Sequence, residues 1–573
     1  MSQDALRDTR FVLQQLLQAP AVLAGLPAFA EVDAELIDQV AEAAHDFAEG
    51  LLAPLNAAGD REGCRLVDGE VHAPTGFAWA WSEFVEGGWP LLACHPEDGG
   101  QGLPHVVDAV LHEAISAANP GWGMYFGILH GGYACLRAHG SDDLKARYLG
   151  DLASGKSLVT MALTEPQAGS DLGGCRTRAT PRGDGSVAVE GTKIFISGGD
   201  HDLTHQIVHL VLARLPDAPA GSRGLSLFLV PKWLPDGARN AVVVERLEEK
   251  MGLHASPTCV LRFDGATGWL IGEPGRGLNA MFVMMNAARI NVGLQGVGAA
   301  AAALAQAQDY AAERIQGGAP ILRHAPVQRL LAHTRAWTEG GRMLALWTAL
   351  RLDEAHAHPD TAERERALRE ASLLTPIVKA LLTAQGFDSV SDALQVFGGH
   401  GYVGEWGIEQ RLRDLRVSML YEGTNEIQAL DLWQRKLLPD HAQVLARLLA
   451  RLLDGVDSPW TAPAAQAAER LLGGLRGAMD ADTPAGLAAP AALRACGLVL
   501  LAALWARADA AAGIADADDF TRRKRATAAV YFTRLLPELE ALLAQLDTLR
   551  RDPREAAGLL AQAAGLPEPA MAE

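Results

Sequence analysis

Residues able to do chemistry gather between Gln395 and Gln428, in the run QVFGGHGYVGEWGIEQRLRDLRVSMLYEGTNEIQ. Gly398 and Gly399 lack Cβ atoms, so backbone there can approach a ligand or take positive φ. Glu422 stands before Gly423 at a helix-to-loop break, where a carboxylate can point into a pocket instead of into water; Glu-Gly is also a common surface turn. A second concentration is Met161-Ala162-Leu163-Thr164-Glu165-Pro166-Gln167-Ala168-Gly169-Ser170-Asp171, a strand-like run that Pro166 and Gly169 turn. Its turn N–H groups and the Thr164 and Ser170 hydroxyls are natural donors to an anionic or carbonyl-rich ligand. Asn286 and Arg289, at i and i+3 of a helical pattern, share one face.

Other spacings carry less. Gly399–Gly404 spells GxGxxG but follows a helical pattern and not a strand, which disfavours a Rossmann-type nucleotide site. His201, His205 and His209 recur every fourth residue, but in a loop running into a strand, so no metal is expected. The chain has no HExxH, P-loop or GxSxG motif. His400 is open to a structural or a ligand-contact role.

The elements that must position these residues follow from pattern. Helical spacing covers 34–50, 77–88, 106–119 and 125–149, predicting an α-helical domain over residues 1–156. Short strand-like runs follow at 157–163, 187–189, 192–196, 207–215, 225–230, 241–244 and 259–263, separated by turns, predicting a central β domain over 157–275. Long helical patterns return at 278–316, 327–356, 363–397 and 431–453, predicting a helix bundle over 276–440. An Ala/Leu-rich helical extension occupies 441–573, broken near 480–490. Its basic run Arg522-Arg523-Lys524-Arg525 reads as a solvated helix face.

Composition is that of an ordinary globular chain: 573 residues, 49% apolar and 21% charged, long enough for three or four domains. A net charge of −19 argues against a chain-wide nucleic-acid footprint. Six scattered cysteines without a CxxC pair read as reduced core thiols and not as a disulfide framework. The polar first twenty residues hold no signal-type apolar run, and no segment reaches the roughly 18 uninterrupted apolar residues of a membrane span. The expectation is a cytoplasmic enzyme.

QxxGGxGY followed about twenty residues later by YEGTNEIQ closely resembles the C-terminal signature of the acyl-CoA dehydrogenase family. The HPEDGGQG loop, the TEPQAGSD turn and Gly191-Thr192-Lys193-Ile194-Phe195-Ile196-Ser197 match further motifs of that family, in order. The resemblance implies a mainly α chain with one β domain: an N-terminal helical domain, a central β-barrel, a C-terminal helix bundle and, here, a helical extension. It implies FAD, lined by Met161, Leu163, Thr164, Gly169, Ser170, Phe195 and Ser197. It assigns Arg314, Gln316 and Gln328 to a neighbouring subunit's flavin, and Gln395, Gly398, Gly399, Thr424 and Glu426 to the adenosine side and the signature loop. Substrate contacts fall to Ser170, Asn286, Arg289, Tyr421 and Gly423. Many members carry Trp, Thr and Asn where this chain has Phe195, Ser197 and Gly198, and Asp where it has Asn286; Phe still covers a ring face and Ser keeps a hydroxyl.

The family reaction is α,β-dehydrogenation of an acyl-CoA thioester, with hydride passing to flavin N5. The resemblance makes Glu422 the base that takes the α proton, its proton affinity expected to rise toward working pH through burial beside the acyl chain. A flavin ribityl hydroxyl and the Glu422 N–H would stabilise the developing enolate. The extended length resembles a bacterial group that includes broad-range and 3-methylmercaptopropionyl-CoA dehydrogenases. A medium- to long-chain fatty acyl-CoA is the expected substrate, with the sulfur-containing acyl-CoA, an acyl-CoA oxidase activity and a DNA-associated flavoprotein as alternatives. An electron-transfer flavoprotein as acceptor and a homodimer, with a tetramer as alternative, complete the expectation.

Overall fold

A computed structural model of the chain describes residues 3–481, 483–514 and 518–566. The chain divides into two compact units, Glu35–Asn291 with Val403–Val417, and Ser2–Ala34 with Val292–Tyr402 and Ser418–Glu573.

In the first unit, helices α1 (His105–Ala118) and α2 (Leu129–His139) belong to a helical layer whose core is aromatic. Trp122, Phe77, Phe84 and Phe126 are fully buried there. Phe84 meets Phe126 edge-on at 4.9 Å and Trp122 at 5.2 Å, the geometry that ring quadrupoles favour. The predicted single helix over 125–149 is three pieces, because Gly127 and Gly140 cap Pro120–Phe126 and α2 before Asp142–Ala153 begins.

Seven strands follow: β1 (Ser157–Ala162), β2 (Arg178–Pro181), β3 (Val187–Ser197), β4 (Gln206–Arg214), β5 (Leu225–Pro231), β6 (Val242–Leu247) and β7 (Thr258–Ile271). Strands β4, β2, β3, β7 and β5 pair in a ring that closes where β5 meets β4, so the sheet is a barrel. β1 adds to β4 in parallel and β6 to β7 antiparallel. Its interior is apolar, with Val189, Val211, Phe228, Val230, Leu261 and Phe263 buried. β3 is one strand where the pattern indicated two; register shifts at Val189/Glu190 and between Lys193 and Ile196 break the alternation without ending the pairing.

Helix α3 (Gly277–Glu313) leads into the second unit, where α4 (Ala325–Ala357) and α5 (Thr361–Phe397) lie side by side. A short helix, α6 (Asn425–Asp431), starts after the Glu422 loop. In the extension, α7 (Ala485–Ile514) is the central element, packed on α4, α5, α6 and α8 (Asp519–Val530). By length and composition α7 could cross a membrane, yet most of its apolar window is buried inside the protein, as in a core helix. The break expected near 480–490 falls between Asp480 and Ala485.

The basic run of the extension is a largely exposed face with one residue, Lys524, turned inward. Lys524 is buried and binds Asp8 and Glu339, while Arg523 pairs with Asp4 and Arg525 with Asp509. Arg522, paired with Asp519 one turn away, and Arg525 stay exposed, and Arg523 is half-buried. The acids that draw Lys524 inward, Asp8 and Glu339, lie far away in sequence, which is why local pattern misplaces that residue.

Candidate active site

In the second unit the Glu422 loop has an unusual backbone. Glu422 sits at φ +56° and Gly423 at +82°, two successive left-handed residues. A non-glycine residue held there stores strain, which clusters at functional sites. The surroundings hold it. Lys379, fully buried on α5, donates from Nζ to the Gly423 carbonyl at 2.8 Å and to Asn425 Oδ1 at 3.0 Å. Gln428, one turn into α6, donates from Nε2 to the Glu422 carbonyl at 3.0 Å. The Thr424 side chain caps α6 by accepting from the Ile427 N–H at 3.3 Å. Tyr421 donates to Gln295 on α3, and burial, with the Glu422 charge adding, pushes its hydroxyl above the usual phenol range.

The glycine cluster lies at the end of α5. Gly398, at φ +58° and ψ −136°, adopts a conformation essentially reserved for glycine, and open space lies where its Cβ would be. Gln395, Gly398 and Gly399 are exposed. His400 is anchored: its Nδ1 lies 2.8 Å from the Tyr310 hydroxyl, and Tyr310 stacks on Phe397 at 4.3 Å. Arg314, Gln316 and Gln328 are exposed near a two-residue hairpin, Ile315–Gln316 with Ala319–Pro320, and on the first turn of α4. Glu426 is exposed on the first turn of α6.

In the first unit two of the sequence motifs come together. The Ile194 N–H donates to the Thr164 carbonyl at 2.9 Å, which places the Met161–Asp171 turn beside the Gly191–Ser197 segment. Beneath them Glu165 and Lys193 form a buried ion pair at 2.8 Å. Glu165 also accepts from the Thr177 hydroxyl at 2.6 Å, the Thr177 N–H at 3.0 Å and the Arg176 N–H at 2.7 Å. Burial alone would raise its carboxyl; Lys193 and these donors outweigh that and hold it at about 2. With so many bonds the pair is a fastening for the turn and not a free acid. Above it Phe195, at φ +60° on the bulged part of β3, is 61% exposed, so an apolar ring is displayed on the outside of the barrel. Met161, Leu163, Thr164 and Ser197 are half-buried, and Gly169 and Ser170 exposed. Arg289 is buried on α3; the Asn286 side chain lies outside the described residues.

The residues that sequence reasoning missed are Glu165, Lys193, Lys379, Asn425 and Gln428. All but Lys379 sit inside the quoted motifs, yet a motif does not say that a side chain faces backward to hold a turn. Lys379, in an otherwise apolar run of α5, was visible only as a lone cation among Ile377, Val378, Ala380 and Leu381.

The histidines expected not to bind metal each have their own surroundings. His209 pairs with the Thr160 hydroxyl at 2.9 Å and His205 stacks on Trp233 at 5.1 Å. Burial, reinforced by Lys232, pushes His201 and His209 down to about 3. A different group, Asp108, His112 and His130, brings three ligand-type side chains together in the first unit. His130 Nδ1 lies 3.0 Å from Asp108 Oδ1, and its Nε2 2.8 Å from the Pro90 carbonyl. His112 Nε2 lies 3.0 Å from the Asn291 amide nitrogen. Burial lowers both rings, to about 4 at His112, but Asp108 reverses the sign at His130. Asp108 lies within reach of both rings, His130 at 3.0 Å and His112 at 3.6 Å, so each of the three side chains has a polar partner within the first unit.

Four family profiles match the chain in succession: acyl-CoA dehydrogenase N-terminal domain over residues 35–156, middle domain over 160–266, C-terminal domain over 275–437, and acetyl-CoA dehydrogenase C-terminal like over 441–554. The chain is 43% identical to 3-methylmercaptopropionyl-CoA dehydrogenase of Ruegeria pomeroyi, over 82% of each chain. It is 36% identical to a broad-specificity linear acyl-CoA dehydrogenase of Mycobacterium tuberculosis, over 79% of this chain and 78% of the relative. A solved acyl-CoA dehydrogenase complexed with FAD, from Bacillus anthracis, shares the fold at 22% identity and TM-score 0.72, over 95% of this chain and 93% of that one.

Proposed function

The chain belongs to the acyl-CoA dehydrogenase family of FAD-dependent oxidoreductases, and on that premise we propose that it desaturates a linear acyl-CoA at the α,β bond with Glu422 as the base. The observation that carries the assignment is the Glu422 loop, a carboxylate on a left-handed turn that two buried side chains hold by its carbonyls.

The residues fit the cofactor. Phe195 displays a flat apolar face, the Thr164 and Ser197 hydroxyls lie in the same two adjoining segments, and Gly398 leaves open space at the backbone. Met161, Leu163, Thr164, Gly169, Ser170, Phe195 and Ser197 are the cofactor-contact candidates on the first unit; Gln395, Gly398, Gly399, Thr424 and Glu426 are those on the second, with Arg314, Gln316 and Gln328 assigned to a neighbouring subunit's cofactor. FAD supplies the hydride acceptor when bound. Glu422 removes the α proton onto its carboxylate, and its backbone N–H donates to the thioester carbonyl as negative charge develops there. Ser170, Asn286, Arg289, Tyr421 and Gly423 contact the substrate. A homodimer passes electrons to an electron-transfer flavoprotein.

The substrate reading shifts from the medium- to long-chain expectation toward a short linear acyl group. Identity to a 3-methylmercaptopropionyl-CoA dehydrogenase supports this, and a thioether sulfur replaces a methylene with little change of shape. A panel of acyl-CoAs, short to long plus 3-methylmercaptopropionyl-CoA, mixed anaerobically with the holoenzyme tests both parts. Bleaching of the flavin by the short linear members is the expected outcome. Bleaching by long chains alone overturns the substrate reading, and bleaching by none overturns the reaction.

A further inference from the structure

We infer that Lys379 is a positioning residue for the reaction: its buried ammonium, with Gln428, clamps the Glu422–Gly423 backbone and so sets where the base carboxylate is aimed. The inference rests on Glu422 being the base.

Two successive left-handed residues form an unstable turn for a chain that carries a side chain at the first. Released, Glu422 would relax to negative φ, and its Cα–Cβ bond would swing away with the backbone. The clamp acts on the peptide groups that decide this. Gln428 Nε2 holds the Glu422 carbonyl at 3.0 Å and reaches toward that of Gly423 at 3.4 Å. Lys379 Nζ holds the Gly423 carbonyl at 2.8 Å. Together they fix the orientation of both peptide planes that follow Glu422, which leaves only side-chain torsions to the carboxylate. The clamp is itself fixed from α5. Asn425 Oδ1 receives Lys379 Nζ at 3.0 Å, and Asn425 Nδ2 donates to the Ala380 carbonyl at 3.1 Å and lies 3.2 Å from the Thr383 hydroxyl.

The chemistry also explains why a lysine is used. Lys379 is fully buried, and burying an ammonium is costly unless it is hydrogen-bonded. A charge-assisted bond to a carbonyl is roughly twice as strong as a neutral one, enough to oppose the strain at Glu422. An apolar side chain of the same length would pack in the same space and leave the Gly423 carbonyl only the long contact from Gln428 at 3.4 Å.

The test is Lys379→Met holoenzyme in rapid-reaction flavin reduction, using an acyl-CoA that reduces the wild type and its α-deuterated form. The expected result is unchanged flavin content and apparent Kd, a limiting reduction rate lower by about 10²-fold, and a larger α-deuterium isotope effect, because misaiming the base slows only proton removal. Wild-type rate and isotope effect overturn the inference. So does a rate loss that merely tracks lost flavin with the isotope effect unchanged, the mark of a purely structural role. Gln428→Met, which leaves Lys379 in place, reads out the same clamp if Lys379→Met does not fold. Glu422→Gln separates the two readings: full activity there removes the base itself, whatever Lys379→Met does.

Discussion

Glu422 is the residue on which the proposed chemistry turns, and its substitution gives the sharpest expectation. Glu422→Gln keeps the side chain's size and removes its proton affinity, so FAD is retained while turnover falls by about 10²–10⁴-fold, the usual contribution of a general base. Near-normal turnover with bound flavin would end that assignment. Gly423 is constrained from the other side. A Cβ there would stand 2.8 Å from Gln428 Nε2 on a backbone at φ +82°. Gly423→Ala is therefore expected to displace the loop and slow flavin reduction, which stopped-flow absorbance would record.

At the scale of elements, two buried carboxyls set opposite pH dependences in the first unit. Glu165, held at about 2 against an ordinary 4.5, is ionised in the fold at pH values where the unfolded chain begins to protonate. Its contribution is fully present above about 4.5 and is lost as pH falls through about 2. Replacing Lys193 by Met strands that charge between β1 and β3 and should cost about 3–5 kcal/mol in denaturant melts. Asp414 behaves in reverse. Burial pushes its carboxyl up to about 6, although it accepts from the Leu253 N–H at 2.5 Å and the Gln410 amide at 3.1 Å. Between about 4 and 6 the unfolded chain ionises first, so stability falls as pH rises through that window. Asp414→Asn should flatten this limb of the stability–pH curve; an unaltered limb would show that another group is responsible.

At the scale of the whole molecule, the second unit joins the two ends of the chain. Asp8, on the helix Gln3–Arg10, binds both Arg342 of α4 and Lys524 of α8, and Lys524 also reaches Glu339 of α4 at 2.5 Å. The extension is thus built into the bundle through a buried ionic network. Removing one partner leaves its counter-charge uncompensated, so Asp8→Asn should lower stability by about 3–5 kcal/mol, measured by calorimetry or urea unfolding. Lys524 is engaged in the interior, and Arg523 and Arg525 are paired with carboxylates of this chain, which argues against a DNA-facing role for this run. No retention of the holoenzyme on duplex DNA at low salt is expected.

The sequence by itself determined the family, the cofactor, the order of helical and β blocks, and the identity of Glu422 as the carboxylate to test. Motif residues and helical periodicity are local and survive in one dimension. Long helices such as α4 and α5 were legible to within a few residues for that reason. What only the tertiary structure decided is which side chains hold others in place. Closure of the barrel through β2, a strand the pattern missed, depends on one residue pair between Arg178 and Arg214. The inward turn of Lys524 depends on acids at positions 8 and 339. The left-handed backbone of Glu422 depends on a lysine some forty residues earlier, since a peptide carbonyl has no letter in the sequence and its partner is chosen by packing alone.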